Sequence, residues 1–225
     1  MEVRDRGEAR LREKIDRRLQ YLRSAHRDSP TERRKVPGKR WLSCDVLRDV
    51  HGVREHQVLL YLSGRMSPLA VVIADTHLPR RASTLPKRLL AYLKRADLIL
   101  HAGDLIDPTL LDELAAYAPV LAVRGNLDSS AAMLPETVQF EFGGVRVAMI
   151  HDSGPKRGRR NRMRRRFPGA RVVVFGHSHI PWLEDEEGFL LLNPGSPTDR
   201  RRQPEHTFAL LWAKSGEVRA EVLAL

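Results

Sequence analysis

Leu69-Ala70-Val71-Val72-Ile73-Ala74-Asp75-Thr76-His77 is the stretch on which the reading of this chain turns. Six apolar residues in a row, rich in β-branched side chains, suit a strand buried on both faces. The run then breaks into a carboxylate and an imidazole. The same pattern recurs downstream. Leu98–Leu100 leads into His101-Ala102-Gly103-Asp104, and Val120–Val123 into Arg124-Gly125-Asn126-Leu127-Asp128. Val145–Ile150 ends in His151-Asp152, and Val172–Phe175 ends in Gly176-His177-Ser178-His179. Phe189–Leu192 and Phe208–Leu211 predict two further strands. Leucines at helical spacing in Pro86–Ala96 and Thr109–Tyr117 predict two helices, the second opened by Asp107-Pro108. Helices early and strands in succession late predict an α/β protein with a mixed sheet system.

A lone His or Asp at a strand end is usually a surface or satisfied polar group; five consecutive exits of this kind are not explained that way. Ligands of open α/β sheets bind beyond the carboxyl ends of the strands, where these groups can converge. The set mixes carboxylate and amide oxygens with imidazole nitrogens, a combination suited to divalent transition metals. Asp75, His77, Asp104, Asn126, His151, His177 and His179 are too many for one tetrahedral ion and enough for two that share a carboxylate. In an extended His-x-His the side chains diverge, so His177 and His179 can address different ions.

In that order, Asp75-x-His77, Gly103-Asp104, Gly125-Asn126-x-Asp128, His151 and Gly176-His177-x-His179 resemble the calcineurin-like metallophosphoesterase superfamily. The short spacing and Asn193-Pro194-Gly195-Ser196 are most similar to its compact prokaryotic YfcE-type phosphodiesterase branch. The resemblance covers residues 66–225 and implies a four-layer αββα sandwich with two divalent metal ions at one edge. It implies Asp75, His77 and His179 on one ion, Asn126, His151 and His177 on the other, and Asp104 bridging. Asp104, Asn126 and His151 would carry the catalytic roles. The implied reaction is phosphodiester hydrolysis, a metal-bridging hydroxide attacking phosphorus in line. Mn(2+) is the expected ion, with Ni, Co, Fe or Zn as alternatives, and the expected partner is a small phosphodiester. Many superfamily members place a His after the Asn; Leu127 stands there instead and cannot donate a proton, which favours diesters and activated esters.

Other residues carry two readings each. Asp128 would orient a neighbouring ligand or water without touching metal. His101 either backs the ligands in the same way or is a packed, hydrogen-bonded histidine. Arg80, Arg81 and Arg124 are substrate-phosphate contacts or solvated loop arginines. Asn193–Ser196 either places backbone N–H groups near the site or is a tight turn between two strands, and Glu184–Glu187 is a solvated loop. The segment 156–171 holds nine basic residues, with a helix over Arg159–Phe167. It is an electrostatic guide for a polyanion or an Arg-biased surface helix.

The 225 residues carry a formal net charge of +11. Residues 1–65 contribute 17 basic and 10 acidic residues, a net +7; residues 66–225 contribute 22 and 18, a net +4. Of the 39 basic residues 7 are Lys and 32 Arg, the bias that a GC-rich genome produces. A nuclease guided by the basic helix and a non-catalytic scaffold of the same fold are the alternative functions; the scaffold route normally loses ligands. A single cysteine, Cys44, excludes an internal disulfide framework and a Cys-cluster metal site. No apolar run is long enough for a membrane-spanning helix, and no secretory signal is visible, so a cytoplasmic protein with no membrane partner is expected. A homo-oligomer is compatible with everything above. Domain organisation is read as a basic, partly helical extension over 1–65, with an apolar stripe at Leu11, Ile15, Leu19 and Leu22, followed by a catalytic domain over 66–225. Met66 is a second plausible translation start, in which case the extension lies upstream of the native chain.

Overall fold

The computed structural model describes residues 67–129 and 134–225, together with the backbone of one strand at 56–59. The Leu11–Leu22 helix and the 29–40 linker expected from the sequence lie outside the described residues. Along the chain run β1 (His56–Leu59), β2 (Leu69–Ile73), α1 (Lys87–Leu93), β3 (Leu98–His101), α2 (Thr109–Ala115), β4 (Val120–Ala122), β5 (Thr137–Phe142) and β6 (Val145–Ile150). They are followed by α3 (Arg159–Arg166), β7 (Val172–Val174), β8 (Trp182–Glu186), β9 (Phe189–Asn193), β10 (Thr207–Lys214) and β11 (Glu217–Ala224).

Two mixed sheets result. One has the order β11-β10-β2-β3-β4, the other β1-β5-β6-β7-β9-β8. In the first, β2, β3 and β4 are parallel and β10 runs antiparallel to β2. In the second, β6, β7 and β9 are parallel. Three apolar cores lie between the layers. Ala70, Val72 and Ala74 face Phe140, Met149, Val174 and Leu192 across the gap between the sheets. Val71 and Ile73, on the opposite face of β2, pack against Leu89 and Leu93 of α1 and Leu110 and Leu114 of α2. On the far side of the second sheet, Ala148, Val173 and Leu191 cover Met163 of α3 and Phe167. Helix, sheet, sheet, helix is the αββα sandwich expected from the sequence. The central position of β2 explains why its apolar run is unbroken: both of its faces are covered.

Where element boundaries differ from the sequence reading, the reasons are local. Helix α1 stops at Leu93, and the chain turns through Lys94–Ala96 back to β3. Asp107 Oδ1 accepts the Thr109 N–H in the turn that leads into α2. Glu184–Glu186, expected as loop, is part of edge strand β8, whose acidic side chains are paired. Arg160 Nε donates to Glu184 at 2.6 Å and Arg171 grips both oxygens of Asp185. Arg164 meets Glu187, and Arg162 donates to the carbonyls of Ser153 and Pro155. Much of the positive charge of segment 156–171 is therefore engaged within the fold. Strand β1 pairs parallel to β5 at the sheet edge, His56 opposite Val138.

Candidate metal centre

The carboxyl ends of β2, β3 and β4 in one sheet, and of β6 and β7 in the other, meet at one edge of the sandwich. Backbone bonds tie their exit loops together. Asp75 N donates to Gly103 O, His77 N to Asp104 O, and Gly176 N to His151 O. Asp75, His77, Asp104, His177 and His179 all have positive φ, between 48° and 68°. This backbone conformation is uncommon for residues with a Cβ and clusters at functional sites. Close approach explains the neighbouring glycines. A Cβ on Gly125 would stand 2.1 Å from Asp104 Oδ1, and one on Gly103 would stand 2.6 Å from His151 Nδ1.

The seven residues singled out in the sequence are brought together. Asp75, His77 and His179 offer donor atoms within 4.8 Å of one another, as do Asp75, Asp104 and His151. Asp75 belongs to both groups, and Asp104 of the second reaches the first as well, its Oδ2 3.3 Å from His77 Nε2 and 3.5 Å from His151 Nε2. Asn126 Oδ1 is 3.1 Å from His151 Nε2 and 2.8 Å from His177 Nδ1. All but Asn126 and His177 are buried.

Tautomers decide what this cluster is for. His151 Nδ1 donates to the Ala102 carbonyl at 2.7 Å, and His179 Nδ1 donates to the Asp199 carbonyl. A carbonyl can only accept, so in each neutral ring the proton sits on Nδ1 and the Nε2 lone pair points inward. His77 Nδ1 faces the Asp199 carboxylate at 3.1 Å, with the same consequence. Burial lowers the pKa of His179 to about 4 and holds that of His151 below the usual range, so these rings are neutral. The Nε2 lone pairs of His151 and His179 thus face amide or carboxylate oxygens with no proton between them. Asp75 Oδ2 and His179 Nε2 are buried without any hydrogen-bond partner. Burial, then the Asp104 charge, pushes the Asp75 carboxyl well above the usual carboxylate range. Burial works the same way on Asp104, but the contact with His77 and the hydrogen bond from the Leu127 N–H outweigh it and lower its pKa. Acceptors converging on acceptors in a buried site fit a divalent cation. Saturating Mn(2+) added to chelator-stripped protein is expected to raise Tm by about 5 °C or more, since a ligand at 100-fold its Kd contributes about 2.7 kcal/mol. An unchanged Tm in differential scanning calorimetry would count against a cation site.

The supporting residues divide sharply. Asp128 touches no ligand side chain; its carboxylate accepts the backbone N–H groups of Asp104 (2.9 Å), Gly125 (2.8 Å) and Ile106 (2.8 Å). His101 is fully buried and its pKa, lowered by burial, is about 4. Its Nδ1 accepts the Gly103 N–H, so its Nε2–H donates to Thr76 Oγ1. It locks the loop between Asp75 and His77 against the loop before Asp104. Among the arginines, Arg124 pairs with Glu136 at 2.7 Å. Arg81 is held at the rim by Asp199, 3.3 Å from its Nε, and by its own N–H on His77 O. Arg80 is exposed.

One segment carries almost no signal in the sequence. Ser196 Oγ donates to Asp75 O, Thr198 Oγ1 to Thr76 O, and Asp199 reaches both His77 and His179. Arg201, two residues on, acts through space on Asp75 and His179. The one cue is Asn193–Ser196, whose expected turn does exist: Asn193 Oδ1 accepts the Gly195 N–H.

Residues 69–216 match the model of the calcineurin-like phosphoesterase superfamily domain. The chain is 42% identical over 130 residues to a "Probable metallophosphoesterase" of Methanothermobacter thermautotrophicus, covering 56% of this chain and 76% of that protein. It is 40% identical over 146 residues to another of that name from Methanocaldococcus jannaschii, covering 64% and 74%. Among solved structures it resembles vacuolar protein sorting 29 of Cryptosporidium parvum (TM-score 0.61, 20% identity, 72% of this chain and 99% of that one). A Thermotoga maritima protein is similar as well (TM-score 0.56, 30% identity, 70% and 99%). The first of these likenesses concerns the fold alone.

Proposed function

The chain belongs to the calcineurin-like phosphoesterase superfamily, and from that premise we propose that it is a dinuclear phosphodiesterase acting on small diesters with good leaving groups. Membership makes it a metal-dependent phosphoester hydrolase; the finer reading rests on the site. The observation that carries it is the position of Asp104, whose Oδ2 approaches His77 Nε2 and His151 Nε2 alike. In this reading Asp75, His77 and His179 hold one ion, Asn126, His151 and His177 the other, and Asp104 both. Two divalent ions there would supply Lewis acidity, activating water and neutralising phosphate oxygens.

The remaining work falls to the chain itself. Neutral His151, fixed by Ala102 O, and Asn126 present their donor atoms on the more open side of the cluster, where a phosphate enters. Arg81 and Arg201 stand at the rim and can offer N–H donors to a phosphate oxygen. Leu127, beside Asn126 and 43% exposed, can neither donate nor accept a proton through its side chain. General acid catalysis is typically worth about 10²–10⁴-fold, so esters of poor leaving groups should react slowly. Several basic side chains of α3 are already paired with acids or carbonyls, which disfavours nucleic acid as the substrate. We take Mn(2+) as the working ion and the cytoplasm as the working location. Among the described residues no helix is long and apolar enough to cross a membrane.

Hydrolysis of bis-p-nitrophenyl phosphate tests this. Turnover should require Mn(2+) or a neighbouring transition ion, vanish on chelation, return on metal addition, and exceed that of phenyl phosphate. Equal activity in excess chelator would overturn the metal reading, and preference for the monoester would overturn the diesterase.

A further inference from the structure

Asp199 is neither a cation ligand in the reading above nor part of any motif read from the sequence, yet it contacts two of the proposed ligands. Its Oδ2 lies 3.1 Å from His77 Nδ1, and its backbone carbonyl accepts from His179 Nδ1. These are the two histidines of the Asp75–His77–His179 group. The residue is itself held: Asp199 N donates to Ser196 Oγ at 2.8 Å, and that hydroxyl donates to the carbonyl of Asp75 at 2.7 Å. One four-residue turn therefore braces all three members of the group, through three different kinds of contact.

Among the described residues the other group has no such brace. His151 leans on a neutral carbonyl at Ala102, Asn126 is a neutral amide open to solvent, and His177 is only half-buried. A carboxylate behind an imidazole raises its basicity and fixes its ring, and losing such a partner typically weakens metal binding about 10–100-fold.

Given the metal-centre reading, we propose that Asp199 is a positioning residue: it sets the tautomer and ring orientation of His77 and His179 together and makes the Asp75–His77–His179 position the tighter of the two cation sites. Its carboxylate acts on His77 and its backbone on His179, so removing the side chain loosens one position and leaves the other alone.

The test needs no turnover. Chelator-stripped full-length protein and its Asp199→Ala variant are titrated with Co(2+), followed by calorimetry and by the visible d–d absorption of the ion. Wild type should show two binding steps of unequal affinity. In the variant the tighter step should weaken about 10–100-fold, with altered d–d bands, while the weaker step moves less than about threefold. Imidazole ¹⁵N shifts of metal-free wild type, independent of any variant, should show His77 and His179 protonated at Nδ1. Two unchanged steps in the variant, equal weakening of both with a lowered metal-free Tm, or an Nε2–H tautomer at either histidine in wild type overturns the proposal. Wild-type protein that binds no Co(2+) overturns the metal-centre reading itself.

Discussion

Asp104→Ala is expected to lower kcat/KM for an aryl phosphodiester by about a thousandfold or more. Asp104 Oδ2 approaches both groups of ligands, and its Oδ1 accepts the Leu127 N–H at 2.8 Å. Truncation would withdraw a charged donor from both cation positions of the proposed centre and free the loop carrying Asn126. Metal-based charge stabilisation is worth several kcal/mol, and each 1.36 kcal/mol is about tenfold in rate. Asp104→Asn separates the two contributions. It can still accept from Leu127 but lacks the charge, so it should keep the wild-type circular dichroism spectrum and still fail in steady-state assays. Activity within about tenfold of wild type in either variant would sink the shared-carboxylate reading.

Asp128→Ala is expected to be the most destabilising single change near the site. One carboxylate satisfies three backbone N–H groups, at Asp104, Gly125 and Ile106, in the two loops that follow β3 and β4. An unsatisfied buried donor costs about 1–3 kcal/mol. Asp128 is only half-buried, so water recovers part, and a net loss of about 3 kcal/mol is expected. For a chain of this size that lowers Tm by roughly 6–12 °C. Asp128→Asn, which keeps one acceptor oxygen, should fall between. Calorimetry on the metal-free proteins isolates the effect from cation binding, and a Tm within about 2 °C of wild type would show that the carboxylate is dispensable.

Much of the site is legible in the sequence because its donors follow directly on apolar runs. The break from Ala74 to Asp75, or from Phe175 to Gly176-His177, marks a strand end and a functional group in the same step. Asp199 offers no such cue. It follows Pro197-Thr198 and precedes three arginines, and its importance arises only when the chain returns to the Asp75 loop 121 residues away in sequence. Strand β8 is hidden for a related reason. Trp-Leu-Glu-Asp-Glu is polar because it is an edge strand, and its acids are balanced by Arg160 and Arg171, which a local reading counts as free charge. Strand β5, absent from the expected strands, does carry a local signal: Val138, Phe140 and Phe142 are buried while Glu141 faces solvent, a period of two. For His101, the choice between a packed histidine and one that backs the ligands dissolves, because it is packed and its partner Thr76 sits between two of them.

The division of the proposed ligands between the two sheets bears on how the protein would come to hold a metal. Asp75, His77, Asp104 and Asn126 come from one sheet, and His151, His177 and His179 from the other; the His177 N–H meets Asp75 Oδ1 across 102 residues of chain. Contacts this distant in sequence are costly to close early, so neither half offers a nascent chain a finished coordination shell. An ion held by these residues would then be captured at the end of folding, after the sandwich has closed. It would act as a clasp across the seam, a barrier to reopening that plays no part in the search for the native state.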